Sequence, residues 1–228
     1  MIDTLQAIRA DSTRFSDALL GADLDAPVPS CPEWSVRALI EHLGGVQRFW
    51  ADTVRTGDSE QPTRVEHVTP RRADDLAEWM RASTELLLAA LTDSSDDAPC
   101  WTWWGEPRTS GAVARHQVHE SAVHRWDAQS AVGTPAPIDA AVADDGVGEF
   151  LEVVVGPAAT TLLGSVSLVS EDTGGEWIVG DQRGTRTVVR ASASDLVLLL
   201  YGRLPHASVT VEGDSGLLRD LLDSADTE

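Results

Sequence analysis

The chain has 228 residues, 42% hydrophobic and 24% charged, which is ordinary for a globular protein and enough to bury one core or two small ones. A formal net charge of −20 disfavours nucleic acid and anionic membrane surfaces, because both are held chiefly by clustered Lys and Arg, so neither is expected as a partner. All 17 basic residues are arginine, which excludes a Schiff-base or lysine general-base mechanism.

Apolar residues at helical spacing, Ile2, Leu5, Ile8, Phe15 and Leu19, predict a first helix over 2–20 that ends at Gly21. A loop over 21–34 follows, and Ser35 is placed to cap a second helix over 36–54, with Leu39, Leu43, Val46 and Trp50 as its core stripe. Residues 57–69 are polar and irregular. A third helix is expected over about 70–91, with Pro70 in its first turn and Leu76, Met80, Leu87 and Leu91 facing inward. The segment 93–110 has acidic and turn residues followed by a Trp-rich stretch, which is no helix interior. A fourth helix spans roughly 110–132.

Gly133 and the Pro/Ala-rich run after it mark a boundary, dividing a four-helix bundle over 1–135 from a small α+β domain over 136–228. A linking helix is expected around 145–155. Strands follow at 165–170, 176–180 and 185–191, then a buried helix over 192–203 capped by Ser192 or Ser194, a strand over 207–213 and a helix over 214–225. That order predicts helices packed on one sheet face, and an α+β fold class for the chain as a whole.

No apolar run approaches the roughly 20 residues of a membrane span, and the first 15 residues carry charges where a signal peptide is apolar, so a cytoplasmic location is expected. Cys31 and Cys100 are too few for a disulfide framework, and a reducing compartment disfavours a bridge between them. Nothing in the sequence points to an oligomeric state.

The chemistry concentrates in the fourth helix, where three histidines and one glutamate fall within residues 116–124. At about 100° per residue, Glu120 and His124 lie about 40° apart on one face with His116 one turn earlier, whereas His119 points about 140° away from His124. The run is therefore not the His-Glu-x-x-His pattern in which two histidines four apart share a metal. His42, between Leu39 and Val46 on the second helix, is the candidate third ligand, since bundles build metal sites from facing helices. Two imidazoles and one carboxylate suit zinc or ferrous iron and leave positions open for water, thiol or substrate. The plainer alternative is a set of satisfied polar residues at a helix contact, although an unpaired buried carboxylate is costly.

The segments CPEWSVRALIEHLGG over 31–45 and HESAVHRWDA over 119–128 resemble the actinobacterial mycothiol-dependent maleylpyruvate isomerase family, within the wider DinB-like superfamily. The resemblance implies an N-terminal metal-binding four-helix bundle followed by a C-terminal α/β domain, and a divalent-metal triad of His42, Glu120 and His124, most simply zinc. It also implies mycothiol as thiol cosubstrate, activated for addition to an electrophilic small molecule, as in cis–trans isomerisation of maleylpyruvate or thiol S-transfer. Arg203 is similar to a functional arginine of the family's second domain and would clamp a substrate carboxylate. Its alternative is a helix-end residue meeting the dipole.

Weaker candidates surround these. Trp101, Trp103 and Trp104 would roof a cofactor or substrate pocket, Trp101 and Trp104 being the binding candidates, or simply fill the core. His116 is a candidate acid or base near the metal, or a core hydrogen-bonding residue. Asp127 and Arg125 either orient the ligands or pair on the helix surface. Cys31 reads as a small buried residue. Two other function classes remain open: a metal-bearing binding or regulatory protein without turnover, and a small-molecule carrier with the bundle as scaffold.

Overall fold

The structure, a computed structural model, describes residues 2–57, 60–62, 68–156 and 162–225, and the irregular stretch expected at 57–69 lies largely outside them. The chain separates into two compact units, Met1–Ala136 and Pro137–Glu228, each with its own core, and its fold class is α+β.

The first unit holds four long helices: α1 (Thr4–Ala18), α2 (Val36–Thr56), α3 (Ala73–Thr92) and α4 (Ser110–Ala131). Side chains cap their N-termini where the sequence supplies them. Asp3 accepts from the Gln6 amide, Ser35 from Ala38 and Thr109 from Ala112, each satisfying one of the donors a helix start leaves open. α2 closes on Gly57 in the left-handed conformation (φ 62°). The core joins Phe15 of α1 and Leu19 just after it, Leu39 and Leu43 of α2, and Leu76 and Met80 of α3.

Three expectations need correction here. Pro70 is not in the first turn of α3, because the chain stays extended through Arg72 while Arg37 donates to the Pro70 and Arg71 carbonyls and ties this entry to α2. Val46 is only half-buried. Gln47 takes the inward place instead, its amide donating to Ser12 (2.9 Å) and accepting from Thr84 (2.8 Å), so its burial carries no unpaired polar atom. The loop read over 21–34 contains two short antiparallel strands, β1 (Pro27–Val28) and β2 (Cys31–Ser35), with Val28 paired to Cys31.

The second unit begins with α5 (Ala140–Phe150), earlier than the linking helix expected at 145–155, because Asp139 accepts from both the Ala141 and Val142 amides and starts the helix there. A wider π turn, Leu151–Val155, ends it. Strands β3 (Gly164–Ser170), β4 (Glu176–Gly180), β5 (Thr185–Ala191) and β6 (Thr210–Glu212) form one sheet in the order β4-β3-β5-β6, with β3 and β5 parallel and the outer pairs antiparallel. To reach β5 from β4 the chain crosses the start of β3, where a Cβ on Gly180 (φ 92°) would stand 2.2 Å from the Gly164 carbonyl oxygen, so only glycine fits. α6 (Ala193–Leu200) is capped by Ser192, whose side chain accepts from the Asp195 amide, while Ser194 accepts from the Ile138 amide; α7 (Ser215–Asp223) follows β6. The parallel register places Val166 beside Thr187 and Leu168 beside Val189, and these buried residues make the sheet face toward the core.

No helix among the described residues is long and apolar enough to cross a membrane.

Candidate metal centre

α2 and α4 each contribute ligand-type side chains to the seam between them. The Ser35 cap sets the phase of α2 so that Leu39 and Leu43 are fully buried, and His42, between them in sequence, comes to the edge of the core with its side chain 36% exposed. On α4, Glu120 and His124 are one turn apart and meet it. His42 Nε2 lies 3.1 Å from Glu120 Oε1, and His124 Nε2 lies 3.3 Å from the same oxygen. One ligand atom from each of the three residues falls within 4.8 Å of the others. The imidazoles meet edge to face, with centroids 4.9 Å apart.

Behind His124 stands a fourth residue. Asp127 is wholly buried, and its Oδ2 lies 2.9 Å from His124 Nδ1. Its Oδ1 accepts from the Ser30 hydroxyl at 2.6 Å, and the Cys31 thiol approaches Oδ2 at 3.9 Å. A carboxylate on Nδ1 holds the proton of that nitrogen, so that when the ring gives up one proton it is Nε2, facing Glu120, that is freed to act as a ligand. Cys31 is thus half-exposed and directed at Asp127, which corrects its reading as a small buried residue. Trp34 of β2 covers both rings, with its centroid 4.6 Å from His42 and 5.9 Å from His124.

Burial by itself would raise the Glu120 carboxyl, but the field of His124 and hydrogen bonds from His124 and His42 prevail and hold it well below the ordinary carboxylate range. Burial would likewise lower His124, yet the charge on Glu120 and the bond from Asp127 push it up to about 9. Burial raises the Cys100 thiol to about 11 and leaves it a poor nucleophile; Cys31 and Cys100 are not joined in a disulfide.

The donor set fits a divalent cation. Tetrahedral zinc bonds of about 2.0–2.1 Å separate neighbouring ligand atoms by about 3.3 Å, matching the two contacts to Glu120. Two histidines and one carboxylate leave at least one position for an outside ligand, and of the two imidazoles that of His42 is the more exposed.

The remaining candidates lie elsewhere. His119, although buried, is not part of the triad, as its helical phase requires. His116 sits one turn before Glu120 under an aromatic cap, with ring centroids 4.9 Å from Trp104, 5.9 Å from Trp103 and 6.2 Å from Trp50. Trp101 stacks on Trp50 at 6.2 Å. The loop carrying these tryptophans is closed by pairing of Pro99 with Thr109 and by the Cys100 amide on the Arg108 carbonyl. Arg125 is not a surface residue: it is buried and pairs with Asp11 of α1 at 3.3 Å while also donating to Gln129 and to the Ala136 carbonyl. In the second unit, Arg203 is half-buried just past α6 and donates to the Tyr201 carbonyl at 2.7 Å, a helix-end contact.

Sequence reasoning passed over Ser30 and Trp34 as site residues. Their only signal was their nearness to Cys31 in the first matched segment.

Residues 5–129, which contain all three members of the triad, match the family described as the mycothiol maleylpyruvate isomerase N-terminal domain. The chain belongs to this family. Two solved structures share the fold of this family member. One is described as the crystal structure of the mycothiol-dependent maleylpyruvate isomerase, 18% identical with a TM-score of 0.69 and covering 92% of both chains. The other is a histidine-to-alanine mutant of that enzyme, 17% identical with a TM-score of 0.68 over 92% of both chains. No curated protein matches the sequence.

Proposed function

We propose that this protein is a metal-dependent enzyme that activates a low-molecular-weight thiol, mycothiol in the first instance, for addition to an electrophilic small molecule. The observation that carries this reading is the convergence of His42, Glu120 and His124 on one point of an accessible seam, with Asp127 orienting His124. Membership of a family named for a mycothiol-dependent isomerase supports it.

His42 Nε2, His124 Nε2 and a Glu120 oxygen would hold the cation, zinc being the best fit to two imidazoles and one carboxylate. When bound, zinc lowers the pKa of a thiol that reaches it, so that the thiolate is present at neutral pH. The chain's own residues do the rest. Asp127 keeps the Nδ1 proton of His124 and so keeps Nε2 a ligand; Trp34 covers the two rings and restricts water. Trp104, packed on His116, and Trp101, stacked on Trp50, are the candidates for contact with the cosubstrate, and His116 is the candidate acid or base for a proton leaving the thiol. Arg203 of the second unit, carried over from the family resemblance alone, is the candidate for binding a carboxylate, in addition to its helix-end bond.

Thiolate addition to a conjugated cis double bond makes that bond single and places the electron pair on the adjoining carbonyl system. Rotation followed by expulsion of the thiolate yields the trans isomer and returns the thiol unchanged. If the adduct is instead protonated and released, the same first step makes the protein an S-transferase.

The test combines metal analysis of protein purified without chelator with maleylpyruvate consumption, measured with and without mycothiol and in His42→Ala. Stoichiometric metal and a rate that needs both thiol and His42 are expected. A metal-free protein, or a rate indifferent to both changes, overturns the reading.

A further inference from the structure

The Trp-rich loop does more than fill space. Trp103 is 50% exposed, an unusual state for the largest apolar side chain, and it stands edge-on to Trp104 with centroids 5.3 Å apart. Both rings pack on His116, and Trp104 also packs on Trp50 at 5.6 Å. Trp50 and Trp101 stack beneath, so Trp103 is held by a supported aromatic cluster.

The position of this cluster gives it a ligand. His116 precedes Glu120 by four residues and His124 by eight, so at about 1.5 Å per residue His116, on which the cluster packs, lies about 6 Å along α4 from the first of these ligands and about 12 Å from the second. A thiol whose sulfur is held at the triad and whose cysteinyl amide leads to a sugar ring extends about two residue lengths, roughly 7 Å, to that ring, a reach comparable with the span between the triad and His116. Indole faces bind the C–H face of a sugar through dispersion and weak C–H contacts, leaving the hydroxyls to water. The charge balance agrees: at a net −20, the chain repels a polyanionic thiol such as coenzyme A and tolerates a neutral polyol.

Resting on the thiol reading above, we infer that Trp103 and Trp104, supported by His116, form a stacking platform for the sugar portion of the cosubstrate thiol. The platform selects the thiol by its carbohydrate, while the triad handles its sulfur.

The experiment is equilibrium binding to the zinc-loaded protein, by calorimetry and tryptophan fluorescence quenching, with two probes: mycothiol, and N-acetylcysteine, which keeps the acetylated thiol head but lacks the sugars and ends in a carboxylate, so that each probe is compared only with itself between wild type and variant. Trp103→Ala, checked for an unchanged circular dichroism spectrum, is expected to weaken mycothiol about five- to tenfold and leave N-acetylcysteine unaffected. Trp103→Phe is expected to restore part of the loss. An equal loss for both thiols, or no loss for mycothiol, overturns the platform and leaves thiol activation standing. If neither thiol binds the zinc-loaded wild type, the platform and the reading on which it rests fall together.

Discussion

Asp127 and His124, three residues apart on α4, share a 2.9 Å contact between Oδ2 and Nδ1 at a point where the carboxylate has no solvent exposure. Because that carboxylate also accepts from Ser30, its two oxygens are fixed and the imidazole ring is held in one orientation. Asp127→Asn keeps the shape but removes the charge that fixes the tautomer. Zinc affinity, read by competition with a chromophoric chelator, is expected to fall about 10- to 100-fold, with the fold retained. An unchanged affinity would remove Asp127 from any positioning role.

Metal binding should be strongly pH-dependent. His124 in the metal-free protein titrates at about 9 and must lose its proton to become a ligand. Between pH 6.5 and 9 apparent zinc affinity is therefore expected to rise nearly tenfold per pH unit, with about one proton released per zinc near pH 7.5. Calorimetry in two buffers of different ionisation enthalpy counts that proton.

The same shift makes the metal-free protein less stable in alkali. The folded value of His124 is raised from 6.5 to about 9, so the stabilisation is fully present below pH 6.5 and is lost as pH rises through 9. Melting temperature in the presence of a chelator is expected to fall over that window, and Glu120→Gln to flatten the fall by removing the charge that raises His124. A flat profile in the wild type would contradict the pairing.

Arg125 and Asp11 form a buried ion pair across α1 and α4. Arg125→Met leaves the buried Asp11 beside the largely exposed Arg14, and is expected to cost about 3 kcal/mol in urea denaturation. The double variant with Asp11→Asn should recover most of it, since the cost lies in the stranded charge. If both variants are equally unstable, packing rather than charge accounts for the loss.

At Gly44 the usual gain from alanine in a helix interior should reverse. A Cβ there would stand 2.2 Å from the Trp79 ring, and Trp79 is also held by the Arg48 guanidinium, one turn on along α2 and 4.9 Å from the ring centroid. Gly44→Ala is expected to destabilise by about 1–3 kcal/mol through overpacking of α2 against α3, again read by urea denaturation.

How far the site was legible in the sequence follows from the range of the interactions that make it. Glu120 and His124 share a helix, and their common face, like the exclusion of His119, follows from 3.6 residues per turn. Helix starts at Ser35 and Ser192 follow equally from local bonds between a hydroxyl and an amide three residues on. At the start of α5 the Asp139 cap was passed over, and the helix start expected at 145 fell too late.

Phase by itself was insufficient at Val46 and Gln47. Adjacent helical positions differ by about 100°, and only the partners Ser12 and Thr84, from two other helices, make it favourable to bury the amide and leave the valine at the edge. Likewise no local pattern connects Ser30 to Asp127, 97 residues apart, or brings Trp34 over His42 and His124. The sequence by itself therefore determined the helices, their caps and the shared face of Glu120 and His124, because these depend on residues within one turn of each other. Only the tertiary structure decided which third side chain faces them and what stands behind His124, because a carboxylate buried between helices is stable only where distant residues neutralise and hydrogen-bond it.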